Sequence, residues 1–214
     1  MATISTHFEW QVDSKGYRFE RSHKPKGSLL GRREHDAIVR RGGGLQTRHP
    51  LEHFDTLYKQ FSELDDSVEA YIDFASKFGP LTENGHAPEG DPVEDWRFWV
   101  SYMKHLIVVR EVDPQKLIYD APSPTEFGRM RARLVAQGPG GRPALRLIPV
   151  SLRDALWLQF AQSTVSGADL RTCDWCGTWF ESGGGAGRRA GARFCSEKCR
   201  STFNNRKKSK GVRS

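Results

Sequence analysis

Before residue 173 this 214-residue chain has no cysteine at all. That excludes a disulfide framework and any thiolate metal site from the larger part of the protein. No apolar run approaches the roughly 20 residues that span a bilayer. The opening Met1-Ala2-Thr3-Ile4-Ser5-Thr6-His7 lacks the basic start and apolar core of a secretory signal. The expectation is a cytoplasmic protein with no membrane partner. Internal repeats are also missing, and with them the repeat architectures.

Several catalytic patterns are absent or incomplete. Ser182 to Gly187 is glycine-rich but lacks the Gly-Lys-Ser/Thr ending of a phosphate-cradling loop, so it reads as a hairpin tip. His49-Pro50-Leu51-Glu52-His53 matches the His-x-x-Glu-His of one zinc-protease class. That chemistry needs both histidines on one helix face, whereas Pro50 makes His49 a cap residue. Asp65, Asp66, Glu69 and Asp73 fit an exposed helix face, and Glu94 with Asp95 fits a first helical turn where negative charge favours the dipole. No catalytic constellation emerges, and the chain reads as non-enzymatic.

Charge is plentiful but uneven. The net +7 is the sum of +5 over residues 1–50, −10 over 51–126, +4 over 127–170 and +8 over 171–214, where 11 basic groups face 3 acidic ones. A basic end is attached to a nearly neutral body.

Apolar periodicity organises that body. Phe8-Glu9-Trp10-Gln11-Val12 and Tyr17-Arg18-Phe19-Glu20 alternate around Asp13-Ser14-Lys15-Gly16 and predict a β-hairpin. Ser22 to Pro50, rich in Gly, Arg and Lys, predicts irregular structure. Leu51, Phe54, Leu57, Tyr58, Phe61 and Leu64 mark an amphipathic helix ending near Asp65-Asp66. A second helix, capped by Asp66 or Ser67, carries Val68, Tyr71, Ile72, Ala75 and Phe78 before Gly79-Pro80 stops it. Thr82 to Pro92 reads as a loop. Pro92 suits the first position of a third helix bearing Trp96, Trp99, Val100, Met103 and Ile107. Leu117-Ile118-Tyr119 predicts a short extended piece, and Glu126 to Val135 is open between helix and strand. Ala144 to Pro149 predicts a strand. A last helix, capped by Ser151 with Asp154 in its first turn, lines up Leu152, Ala155, Leu156, Gln159, Phe160 and Ser163 and ends at Gly167. The fold class is therefore α+β: a mainly helical body with a short hairpin over residues 1–170, and a small C-terminal metal module over 171–214.

That module holds every cysteine. Cys173-x2-Cys176 and Cys195-x3-Cys199 are two pairs whose spacing lets each bite one edge of a tetrahedron, as Zn²⁺ requires. In Cys173-Asp174-Trp175-Cys176-Gly177 the glycine allows a tight knuckle around the first pair. Trp179 and Phe180 start a strand, Arg193-Phe194 returns, and Cys195-Ser196 leads into a helix bearing Cys199. The order knuckle, hairpin, helix is that of a treble clef. Trp179, Phe180, Phe194 and Phe203 supply a small core, too little to fold alone. Metal ligation, worth roughly 10 to 16 kcal/mol in comparable modules, makes up the difference. Four thiolates leave no open coordination position, so the expected role of zinc is structural and its removal unfolds the module.

The last helix is basic. Arg200, Asn204 and Lys207 share a stripe, flanked by Lys198, Arg206, Lys208, Lys210 and Arg213, with Arg188, Arg189 and Arg193 on the hairpin. These residue types suit phosphate, and Arg and Asn also suit guanine and adenine edges. The bland alternatives are a solvated tail, or one that docks on the protein's own acidic segment.

Cys-x2-Cys-Gly-x2-Phe followed by Arg-Phe-Cys-Ser-x2-Cys-Arg and a basic end resembles the treble-clef fingers of bacterial CGNR-type zinc-finger proteins, over roughly residues 171 to 208. A helical region precedes the finger in that family, whose members are regarded as transcriptional regulators or are uncharacterised. The resemblance implies DNA binding through the finger. The Gly-Asn-Arg that names the family is absent here, where Arg200-Ser201-Thr202-Phe203-Asn204-Asn205-Arg206 follows the last ligand. The finger also resembles a broader set of short bacterial modules ending in Phe-Cys-Ser-x2-Cys-Arg. Tyr71 to Leu81 is similar to a segment of uncharacterised bacterial proteins with such fingers.

The expected function is that of a zinc protein binding nucleic acid, DNA ahead of RNA, in transcriptional regulation, with the body serving dimerisation or ligand sensing. The rival is a protein-interaction adaptor whose basic module docks on an acidic surface. An enzyme with its site in the helical body is a third class.

Overall fold

The structure, a computed structural model, describes residues 8–23, 35–51, 56–86, 90–113, 115–117, 129–136, 143–184 and 187–211. Its elements are helices and small antiparallel sheets, an α+β chain, gathered into two compact units, residues 1–158 and 159–214. Among the described residues no helix is long and apolar enough to cross a membrane.

The first unit opens with four strands, β1 (Trp10–Asp13), β2 (Tyr17–His23), β3 (His35–Arg40) and β4 (Leu45–Arg48). β1 pairs with β4 and β2 with β3, so the predicted β1–β2 hairpin does not form. The register is nearly continuous across both ladders, with Asp13 opposite Leu45 and Tyr17 opposite Arg40. Residues 10–23 and 35–48 thus make one long ribbon with a break in its middle, and the Asp13–Gly16 turn lies at that break. Where it is described, Ser22 to Pro50 is therefore strand at 22–23, 35–40 and 45–48 and irregular at 41–44 and 49–50.

Asp13 explains the break. Its buried carboxylate accepts hydrogen bonds from the backbone N–H of Lys15 (2.8 Å), Gly42 (3.1 Å) and Gly43 (2.9 Å) and from Arg40 Nε (3.0 Å). Burial alone would raise its pKa, but those donors together hold it below the usual carboxylate value. A side chain at Gly43 would run into that carboxylate. The glycine run therefore serves a strand-to-strand crossing.

Of the three helices that follow, the second and third pack on the ribbon, and the first, which is shorter, packs on the third. α1 spans Leu57–Ser62, shorter than predicted at its amino end, where residues 52–55 lie outside the described set. α2 is Val68–Phe78, with the Ser67 hydroxyl accepting from the Ala70 N–H and Gly79 at φ 98° ending it. Thr82 to Pro92 is not wholly loop: a 3-10 turn spans Glu83–His86, and β5 (Asp91–Pro92) pairs with β3. α3 then runs Val93–Val112, with Pro92 as its cap rather than its first residue. Phe61, Tyr71, Phe74 and Trp96 meet at ring separations of 5.4 to 6.2 Å and form the core where these helices converge.

Glu126 to Val135 resolves as strand: β6 (Met130–Ala136) pairs with β7 (Pro143–Pro149). Leu117 is helical rather than extended, and Ile118 and Tyr119 lie outside the described residues. α4 (Leu152–Ser166) starts as predicted. The buried Ser151 hydroxyl donates to Asp154 Oδ2 at 2.6 Å while its oxygen accepts from the Asp154 N–H at 3.2 Å. All six residues of the predicted α4 stripe are buried.

In the second unit, β8 (Asp169–Thr172) pairs with β9 (Trp179–Ser182), and α5 (Glu197–Gly211) follows. The hairpin predicted after the first cysteine pair instead brackets it. Arg193 and Phe194 form no strand.

Candidate metal centre

Cys173 and Cys176 sit in the turn between β8 and β9. The turn is closed by backbone bonds from Cys173 N–H to the Thr178 carbonyl (3.0 Å) and from Gly177 N–H to the Cys173 carbonyl (2.9 Å). Gly177 takes φ 71°, a left-handed conformation that lets the chain double back after the second thiol. Cys195 and Cys199 come from the approach to α5 and its first turn. The Ser196 oxygen caps that turn by accepting from the Cys199 N–H at 3.2 Å. The Asp174 N–H donates to the Arg193 carbonyl at 3.0 Å, tying the knuckle to the strand-free segment that brings Cys195 back.

The four sulfurs consequently converge, all within 4.8 Å of one another, and this is the one such cluster of potential ligands among the described residues. Cys176 and Cys195 are 3.6 Å apart, Cys195 and Cys199 3.5 Å. Those separations are far longer than the roughly 2.05 Å of a disulfide. They match the edge of a thiolate tetrahedron, which at a metal–sulfur distance of about 2.3 Å is about 3.8 Å long. All four cysteines are free thiols, Cys173 buried and Cys176 exposed. Cys173, Cys176, Cys195 and Cys199 thus fit a metal ion by number, donor type and spacing.

The protonation of these thiols supports that fit. A hydrogen bond from the Thr178 side chain, with other bonds to it, pulls Cys176 down to about 6 against the cost of burial. Burial raises Cys173, yet backbone N–H groups of Cys176, Cys195 and Trp175 outweigh it and leave the group below its ordinary value. Cys195 moves the other way, pushed up to about 12 by burial and by its sulfur neighbours. Four anionic sulfurs this close would repel strongly without a cation, and binding a metal ion would offset that repulsion and displace the protons.

Around the sulfurs the predicted aromatic core is only partly closed. Phe180 is buried, while Trp179, Phe194 and Phe203 are half-buried, with Phe194 and Phe203 in ring contact at 5.2 Å. Three residues that sequence reasoning missed support the centre. Thr178 bonds Cys176, Ser196 caps the turn of Cys199, and Asp174 holds Arg193 through Oδ2 at 2.7 Å from Nε. The Ser-x-x-Cys spacing of 196 and 199 is a cap signal that was available in the sequence.

The basic residues separate into different environments. Arg193 pairs with Asp174, and Arg200 makes two bonds to one Glu197 oxygen at 2.7 and 3.1 Å. Arg188 Nε donates to the Cys195 carbonyl at 3.0 Å, and Arg206 lies over the Trp175 ring at 5.6 Å. Lys198, Arg189 and Asn204 are exposed. The side chains of Lys207, Lys208 and Lys210 lie outside the described set, as does Arg213. The predicted stripe is therefore described at Arg200 and Asn204 alone. Of the protease-like pattern, His49 to Leu51 is non-helical, and Glu52 and His53 are outside the described residues. No protein family, no curated protein and no solved structure matches the chain.

Proposed function

We propose that the ion is Zn²⁺, that the second unit is a treble-clef-like finger organised by it, and that this finger binds nucleic acid, DNA ahead of RNA, in a regulatory role. The observation that carries the reading is the convergence of Cys173, Cys176, Cys195 and Cys199 within 4.8 Å. Four thiolates at tetrahedral spacing suit zinc above harder cations, and leave no position for a reacting water. The metal's work is then structural: it holds the knuckle against the first turn of α5 and so fixes where the arginines of both segments stand.

Nucleic acid follows from charge. Residues 171–214 carry 11 basic groups against 3 acidic ones. A Zn²⁺ with four thiolates adds two net negative charges relative to neutral thiols, and the finger still remains strongly basic. The resemblance to CGNR-type fingers points the same way, although the Gly-Asn-Arg of that family has no counterpart here.

The test is a filter-binding titration of the zinc-loaded chain on DNA and on RNA over a series of salt concentrations. Binding through several phosphates makes log K fall linearly with log salt, with a slope of about −0.9 per neutralised phosphate on duplex DNA. Absent or salt-insensitive binding refutes the reading and favours the protein-adaptor role.

A further inference from the structure

The basic residues of the finger are not spread evenly over α5. Four arginines, Arg188, Arg189, Arg193 and Arg200, wall an open groove of about 600 Å3 that lies between the segment after β9 and the first turn of α5. Ala190, Gly191 and Ala192 line it as well, so small residues leave room for a ligand to approach the backbone. Glu197 is the single acidic residue among those lining the groove, and both bonds it receives from Arg200 fall on one oxygen. A surface of this composition selects an anion.

Three of the four guanidinium groups are already positioned. Arg193 is held by Asp174 and stands over the rings of Phe194 and Phe203 at 5.7 and 5.9 Å. Arg200 is held by Glu197, and Arg188 by the carbonyl of Cys195 and by the Phe180 ring at 5.8 Å. Each anchor is a metal ligand or lies within two residues of one along the chain, or belongs to the aromatic cluster beside them. The rotamer entropy that an anion would otherwise have to offset is thus largely spent in folding. Arg193 and Arg200 each engage their Nε and one terminal nitrogen, which leaves the other terminal nitrogen of the planar fork to donate. Arg189 is exposed, and its side chain makes no hydrogen bond or ion pair among the described residues, so its guanidinium can turn toward a ligand.

We propose that this groove is the phosphate site of the finger, taking a nucleic-acid backbone phosphate between Arg189, Arg193 and Arg200, in preference to the Asn204 and Lys207 positions farther along α5. The proposal rests on the nucleic-acid reading above and adds the location and the chemical contact. Arg189 can offer a whole planar fork to two phosphate oxygens, and Arg193 and Arg200 each add a charge-assisted bond from the terminal nitrogen left over, whereas lysines act as point charges. The metal centre behind the groove is itself anionic when loaded with zinc. The finger stays net basic around that centre, and guanidiniums at contact range add the short bonds that fix where a phosphate sits.

The experiment uses the zinc-loaded full chain and a short fluorescent duplex of mixed sequence, with anisotropy read at salt concentrations between about 50 and 200 mM. Arg189→Ala and Arg200→Ala should each weaken binding by about three- to tenfold and reduce the salt slope by about one, and Arg189→Glu should weaken it further. Lys207→Ala with Lys208→Ala is the comparison. Zinc content shows that each variant keeps its metal, and Arg189, which anchors nothing, keeps the test open if Arg200→Ala perturbs α5. Loss of affinity in the lysine variant with none in the groove variants overturns the location while leaving nucleic-acid binding intact. No binding of DNA or RNA by the unaltered chain overturns both. Pyrophosphate binding that depends on Arg189, without duplex binding, shows a small phosphate ligand instead and overturns the proposed occupant.

Discussion

Asp91 is fully buried in the first unit, where Oδ2 accepts from the Leu81 N–H at 2.6 Å and Oδ1 from the Thr82 hydroxyl at 2.6 Å. Those bonds favour the carboxylate, but burial outweighs them and pushes the group up to about 7. The contrast with Asp13 is instructive. Asp13 keeps its charge because three backbone N–H groups and a guanidinium bond it directly, whereas Asp91 is bonded by uncharged donors, with Arg153 interacting with it only through its charge and the Asp95 carboxylate opposing ionisation. The folded-state value of Asp91 lies above the unfolded one near 3.8, so the folded protein holds this proton over the interval between them. Its contribution to stability is whole below about pH 4 and is lost as pH rises through about 7. Urea unfolding of the unaltered protein and of Asp91→Asn across that range should show their stability difference shrinking by on the order of 2 to 4 kcal/mol from low to neutral pH. A difference that stays flat with pH contradicts a buried, protonating Asp91.

At the scale of elements, what the sequence made legible was local. α2 and α4 carry their own apolar stripes and their own caps, Ser67 and Ser151, and both form where periodicity and capping put them. Replacing Ser151 by Ala strips the Asp154 N–H of its acceptor and the Asp154 carboxylate of a donor, both at buried positions. The expected loss is about 1 to 2 kcal/mol in chemical denaturation, largely restored by Ser151→Thr. A loss below about 0.3 kcal/mol would show that α4 does not depend on this cap. The ribbon was illegible because its pairing is non-local. Gln11 lies opposite Thr47, and Asp13-Ser14-Lys15-Gly16 has the chemistry of a hairpin turn while serving a break between two ladders. Gly42-Gly43-Gly44 looked like loop sequence, yet Gly43 is needed because the Asp13 carboxylate occupies the place of a side chain.

Across the whole molecule, the convergence of the four cysteines was readable from spacing alone, since two short pairs leave little choice of partner. The arginines of the groove were each visible too. Their common wall was not, because it depends on the Asp174 N–H meeting the Arg193 carbonyl and bringing the returning chain against the first turn of α5. On the proposed reading, a basic unit with few fully buried apolar side chains gains its shape from the ion, and the placement of its arginines depends on that ion. Zinc analysis with X-ray absorption at the zinc edge, on the freshly purified and reduced 214-residue chain, tests this most directly. The account predicts one zinc per chain with a first shell of four sulfurs at about 2.3 Å and no light-atom ligand. Substoichiometric zinc, or a shell in which oxygen or nitrogen replaces sulfur, would contradict it.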